Sequence, residues 1–135
     1  MIRWTTAFID RPLASFAEVE TFWRRVTGTT MSPVRGEHGE FSTFLPTGAD
    51  AYLRLQRIER GPGGTHLDLH VDDVYAAAAR AVERGARAFA DLGGVVVLRS
   101  PGGCVFCFVR HHGEATVPSP VGRPGARTVV DQVCI

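Results

Sequence analysis

The spacing of apolar and polar positions changes several times along this chain, and each change marks an element. Residues 3–9 read as a strand, closed by Asp10-Arg11-Pro12. Ser15-Phe16-Ala17-Glu18 then has the form of a capping box. Phe16, Val19, Trp23 and Val26 follow at helical spacing until Gly28 ends the run. Residues 31–34, 41–45 and 51–58 read as three short strands separated by Gly- and Pro-bearing turns. Gly61-Pro62-Gly63-Gly64 is the clearest break, and after it the order repeats. Residues 65–71 alternate strictly, and Asp73 caps a helix with Val74, Ala78, Ala81 and Val82 on one face, stopped at Gly85. Residues 87–90, 95–98 and 104–109 are three more short strands. Strand-helix-strand-strand-strand thus occurs twice, which predicts an internal duplication with short, turn-connected strands packed around a common space.

Alternation within the predicted strands separates a packed face from a polar one. Leu67, Leu69 and Val71 share the side on which the second helix packs, so His66, Asp68 and His70 share the other. Leu53 and Leu55 pack in the same way and leave Tyr52, Arg54 and Gln56 opposite. If Ile9 corresponds to Val71, then Trp4, Thr6 and Phe8 turn the same way as the histidines. Cys107 faces that side between Val105 and Val109, while Phe106 and Phe108 support the helix. Aromatic surface with a few convergent polar groups is the usual make-up of a ligand pocket. The carboxylate beside two imidazoles suits acid-base work, because it can fix a histidine tautomer.

Composition narrows the classes. A chain of 135 residues, 44% hydrophobic and 21% charged, has room for one domain with a real core. Net charge is +1 and all 15 basic residues are Arg, spread without a stripe suited to phosphates, so no nucleic-acid partner is expected. No apolar run approaches the roughly 20 residues that span a bilayer, and the N-terminal residues do not resemble a signal peptide. The expectation is therefore a cytoplasmic chain without a membrane partner. Three cysteines do not suggest a disulfide framework. Cys104 and Cys107 have C-x-x-C spacing, but in a strand these positions face opposite sides and read as small buried hydrophobes.

His66-Leu67-Asp68-Leu69-His70-Val71-Asp72-Asp73, the helix end Arg84-Gly85-Ala86, and Ser100-Pro101-Gly102-Gly103-Cys104-Val105-Phe106-Cys107 resemble the vicinal oxygen chelate superfamily. More narrowly, they resemble its glyoxalase/bleomycin-resistance/dioxygenase branch. Phe8-Ile9-Asp10, Phe22-Trp23 and Thr27-Gly28 extend the resemblance to the first half. The fold this implies is α+β: two βαβββ modules forming a curved, barrel-like mixed sheet around a pocket, with the helices outside. It gives a glyoxalase-like domain over 1–113, with modules 1–60 and 65–110. A Pro- and Gly-rich tail with a final strand follows over 114–135, expected to pair as an added edge strand in its own chain or in a partner's. Metal-dependent relatives hold a divalent ion with four side chains, one from the first and one from the last strand of each module. Only His66 carries a usual ligand here. Trp4, Arg54 or Gln56, and Cys107 occupy the other positions.

The resemblance therefore implies a small-molecule-binding domain, metal-independent and without a cofactor, and a homodimer. His66, Asp68 and His70 are the candidate catalytic residues; Trp4, Thr6, Phe8, Arg54, Gln56 and Cys107 are the candidate ligand-binding residues. The alternative is an enzyme of the same fold, a lyase, isomerase or dioxygenase, working on the His66/Asp68/His70 face with or without a divalent metal. His66-x-Asp68 also matches part of a 2-His-1-carboxylate iron site, with His38, His70, His111 or His112 as the distant histidine. His111 and His112 are otherwise expected in an exposed turn after the last strand.

Overall fold

The computed structural model describes residues 1–130, and for Arg123 and Thr128 the backbone only. The fold is α+β. Strand β1 (Ile2–Pro12) leads into helix α1 (Leu13–Thr27) and strands β2 (Thr30–Met31), β3 (Phe41–Leu45) and β4 (Leu53–Ile58). The series then repeats as β5 (Gly64–Val71), α2 (Val74–Glu83), β6 (Arg87–Asp91), β7 (Val96–Arg99) and β8 (Val105–Arg110). Two short strands, β9 (Val121–Arg123) and β10 (Ala126–Thr128), follow. The chain divides into two compact units, and β1 contributes to both: Met1–Ala7 with Thr65–Ala115 form one, and Phe8–Gly64 with residues 116–130 form the other.

In the first unit the strands run in the order β1-β5-β8-β7-β6. β8 lies parallel to β5 and antiparallel to β7, so the pairing is mixed. The core forms where α2 covers one sheet face: Val74, Ala77 and Ala78 meet Val71, Val96, Leu98 and Phe108, with Leu69, Ala81 and Phe106 around them. Asp73 caps α2 by accepting the Ala76 N–H at 2.9 Å. Val82, expected on the packed face, is 47% exposed, while its neighbour Ala81 packs against the core.

In the second unit the order is β2-β3-β4-β1. β3 and β4 are antiparallel, with Ser42 opposite Leu55 and Phe44 opposite Leu53, all four buried. Helix α1 begins at Leu13, two residues before the expected cap, and Pro12 is its N-cap. Pro12 is extended, at φ −60° and ψ 153°; Ser15 falls inside the helix with its hydroxyl donating to the Pro12 carbonyl at 3.4 Å, so the capping box does not form. Of the α1 residues only Thr27 is buried. Phe16, Val19 and Trp23 are half-buried, whereas Val26 is 42% exposed. Gly28 ends the helix at φ +69°, with its N–H on the Arg24 carbonyl.

The tail joins the second unit. Asp50 N–H donates to the Thr116 carbonyl at 2.9 Å, and Thr116 N–H donates to the Asp50 carboxylate at 2.8 Å. Val121 stacks beside Gly28. β9 and β10 pair with each other as an antiparallel hairpin and, among the described residues, do not join the larger sheet. The remainder of the final strand predicted for the tail, 131–135, lies outside the described residues.

Candidate functional site

In the first unit, β5 carries Leu69 and Val71 into the core and turns His66, Asp68 and His70 the other way, as its alternation requires. The parallel register places Cys107 of β8 beside Asp68. One donor atom each from His66, Asp68 and Cys107 lie within 4.8 Å of one another. His66 Nε2 is 3.9 Å from Asp68 Oδ1, with side chains 13% and 10% exposed. Cys107 is 7% exposed. Cys104, three residues before Cys107 and just ahead of β8, instead directs its thiol to the Val105 carbonyl. Trp4, half-buried, shares by alternation the β1 face of Thr6.

His70 lies deeper, 2% exposed. Its Nε2 is 2.9 Å from Thr6 Oγ1, and Thr6 is itself fully buried. On the other side of the ring, Nδ1 lies 3.3 Å from Glu114 Oε1, an ion-pair contact rather than a well-aligned hydrogen bond. A carboxylate only accepts, so the proton between the two groups belongs on Nδ1, and in the neutral ring the Thr6 hydroxyl donates to Nε2. Glu114 also accepts the His112 N–H at 3.0 Å and lies 3.5 Å from His111 Nε2. Burial pushes the Glu114 carboxyl up, but the backbone N–H groups of Glu114 and His112 and the nearby His70 and His111 outweigh it, leaving it below the ordinary 4.5.

Glu114 was not anticipated from the sequence. It follows the strand predicted over 104–109, in a stretch where no periodicity assigns a face, and only the neighbouring His111-His112 hinted at a polar cluster. His111, expected in an exposed turn, is tucked in with its ring 14% exposed and Nε2 3.0 Å from the Glu114 carbonyl oxygen.

The second unit has a polar face of its own. Arg54 and Gln56 stand opposite Thr43 and Phe41 across β3 and β4. The Arg54 guanidinium sits 5.6 Å above the Phe8 ring, and Phe41 meets that ring edge-on at 6.2 Å. Phe8 is 4% exposed, so its ring serves mainly as a support for Arg54. Arg35 donates to Thr43 Oγ1 at 2.6 Å, adding a second guanidinium that the alternation rule could not place.

The chain matches the profile of the Glyoxalase-like domain over residues 6–109. It belongs to the glyoxalase-like domain family. Among solved structures, it resembles a glyoxalase/bleomycin resistance protein/dioxygenase superfamily member from Vibrio splendidus 12B01. That match has 16% identity and a TM-score of 0.56, and covers 82% of this chain and 100% of the other. A YycE protein of unknown function from Bacillus subtilis matches at 16% identity over 78% of this chain and 89% of its own, with a TM-score of 0.30 that carries no argument. The Vibrio likeness, at its low identity, supports the fold alone. No curated protein matches this chain.

A divalent ion is common in the superfamily, and the donors of this glyoxalase-like chain fit one. Imidazole, carboxylate and thiolate together suit a borderline ion such as zinc. Ligand atoms about 2.0–2.3 Å from zinc stand roughly 3.3–3.8 Å apart in a tetrahedron, so the 4.8 Å spread needs only small side-chain adjustments. Asp68 stands in none of the four ligand positions that the family resemblance implies. It joins His66 and Cys107 through strand alternation and parallel register.

Proposed function

We propose that this glyoxalase-like domain binds a small organic molecule on the face of its first unit that carries His66, Asp68 and Cys107, and that binding needs no metal. The observation that carries this reading is the convergence of those three side chains, His66 half-buried and Asp68 and Cys107 buried, on the face opposite the α2 core. An aromatic or oxygen-rich guest suits the wall: Trp4 offers apolar surface, His66 and Asp68 offer a donor and an acceptor, and Thr6, His70 and Glu114 brace the strands behind. The Arg54 face of the second unit suits a carbonyl or anionic group. The reading includes a homodimer. Whether the domain sequesters its guest or transforms it depends on His66: in a binder, His66→Ala weakens affinity alone, whereas in an enzyme it abolishes turnover with binding largely kept.

The convergence of donors also favours a second reading, in which His66, Asp68 and Cys107 hold a zinc-like ion. Such an ion would supply Lewis acidity toward a ligand oxygen at its open position. A thermal-shift screen of aromatic and oxygen-rich compounds, run with chelator and then with zinc, separates the two. Hits in chelator that vanish in His66→Ala support the first reading. Hits that require zinc support the second, and hits indifferent to His66 and Cys107 sink both.

A further inference from the structure

The second unit holds a cavity of about 270 Å³ between the end of α1, the turn from β3 to β4 and the tail. That is far more than one water needs and lies at the small end of ligand pockets, which run about 300–1,000 Å³. Pro46, Pro118 and Pro120 make part of its wall apolar and stiff, and Val121 closes it against Gly28. The closure depends on a missing side chain, because a Cβ at Gly28 would meet Val121 Cγ1 at 3.0 Å. Among the described residues no charged side chain lines the cavity, whereas the hydroxyl-bearing Thr27, Thr29 and Tyr52 do.

Where the protons of these hydroxyls go selects the guest. Thr27 Oγ1 donates to the Trp23 carbonyl at 2.7 Å. Its single proton is then used, so in the 2.8 Å contact between Thr27 Oγ1 and Thr29 Oγ1 it is Thr29 that donates. Thr29 is left with lone pairs only and meets a guest as an acceptor. Tyr52 has the opposite character. Burial pushes its phenol above the ordinary 10.0, although the Val130 N–H donates to its oxygen, so it keeps its proton at neutral pH and can donate it. An ion would lose its hydration here without meeting a counter-charge, which excludes charged guests. The guest is therefore neutral, compact and apolar on the side that meets the prolines, with one acceptor and one donor. The edge of an amide carries both on neighbouring atoms. We propose that this cavity is a separate ligand site for a small neutral amide, with Tyr52 donating to the amide carbonyl and Thr29 accepting from its N–H. The site lies wholly in the second unit and uses none of His66, Asp68 and Cys107.

The probe that tests this is 2-pyrrolidinone, titrated into the ¹⁵N-labelled full chain and followed by amide chemical shifts. Saturable movements are expected on residues 27–29, 47, 52, 119 and 121. Tyr52→Phe and Thr29→Val preserve side-chain shape and each remove one hydrogen bond, so each weakens binding about fivefold. N-methyl-2-pyrrolidinone has no proton for Thr29 and binds wild type and Thr29→Val alike, while the butyrate anion moves none of these signals. Circular dichroism checks that both variants fold. The proposal is overturned if 2-pyrrolidinone gives no saturable movement at these residues, if either variant binds it as tightly as wild type, or if butyrate binds equally well. His66→Ala leaves this titration unchanged, and thermal-shift hits lost in His66→Ala survive a failure here, so the two proposals fail separately.

Discussion

Glu114 offers the sharpest perturbation, because it touches a side chain that water barely reaches. Glu114→Ala removes the carboxylate from beside His70 Nδ1, which it approaches at 3.3 Å, and from the His112 N–H, which it accepts at 3.0 Å. His70 is 2% exposed and Glu114 17%, so the pair falls between a surface bridge worth about 0–1 kcal/mol and a buried one costing about 3–5 kcal/mol to break. Losing the His112 acceptor adds about 0.5–1 kcal/mol, since water can replace part of it. A destabilisation of about 2 kcal/mol follows, or a melting temperature lower by about 6–8 °C in a chain of this size. Glu114→Gln keeps an acceptor for the His112 N–H and loses only the charge, so about half the effect remains. The pH dependence has a definite sign. The folded carboxyl lies below 4.5, so its contribution is fully present above that pH and is lost as the pH falls through the folded value. Urea unfolding of the three proteins across pH measures this. An Ala variant as stable as wild type at neutral pH would refute the reasoning, as would a gap that persists unchanged in strong acid.

Three further outcomes follow from named contacts. At Gly28, φ is +69° and an added Cβ would meet Val121 Cγ1 at 3.0 Å, whereas Gly48 has φ +66° and open space around it. Both Gly→Ala changes therefore cost about 1–2 kcal/mol in backbone strain, but only Gly28→Ala is partly rescued by Val121→Ala in denaturant titrations. Leu98→Ala, at a fully buried core position, costs about 2–5 kcal/mol by urea unfolding, and Leu92→Ala, 71% exposed, costs close to nothing. If the second reading of the site holds, cobalt(II) added under reducing conditions gives a thiolate charge-transfer absorption that Cys107→Ser abolishes. An absorption that persists in Cys107→Ser removes that residue as a ligand, and no absorption in the wild type removes the ion-binding reading.

How much of this was legible in the sequence depends on how local the signal is. Strand alternation alone placed His66, Asp68 and His70 opposite Leu69 and Val71, because a buried strand fixes both of its faces at once. The Asp73 cap and the Gly28 helix stop were readable for a similar reason, since each needs a particular residue type at one position. The capping box at Ser15 was misleading: Pro12 offered an earlier start, and a motif with two admissible registers cannot choose between them. The closeness of Asp68 to Cys107 depends on parallel pairing across a 39-residue separation, which no local pattern encodes. Glu114 and the tail strap through Asp50 and Thr116 were out of reach too, because both lie in segments without period.

The central claim is that the ligand binds where His66, Asp68 and Cys107 converge. The measurement that tests it most directly is an amide chemical-shift titration of the ¹⁵N-labelled chain with the strongest compound from the thermal-shift screen. The largest movements are expected on residues 66–70 of β5 and 105–109 of β8, with the Trp4 indole signal moving alongside them. Movements confined to α1 and the residues around Val129, with β5 and β8 still, would contradict it.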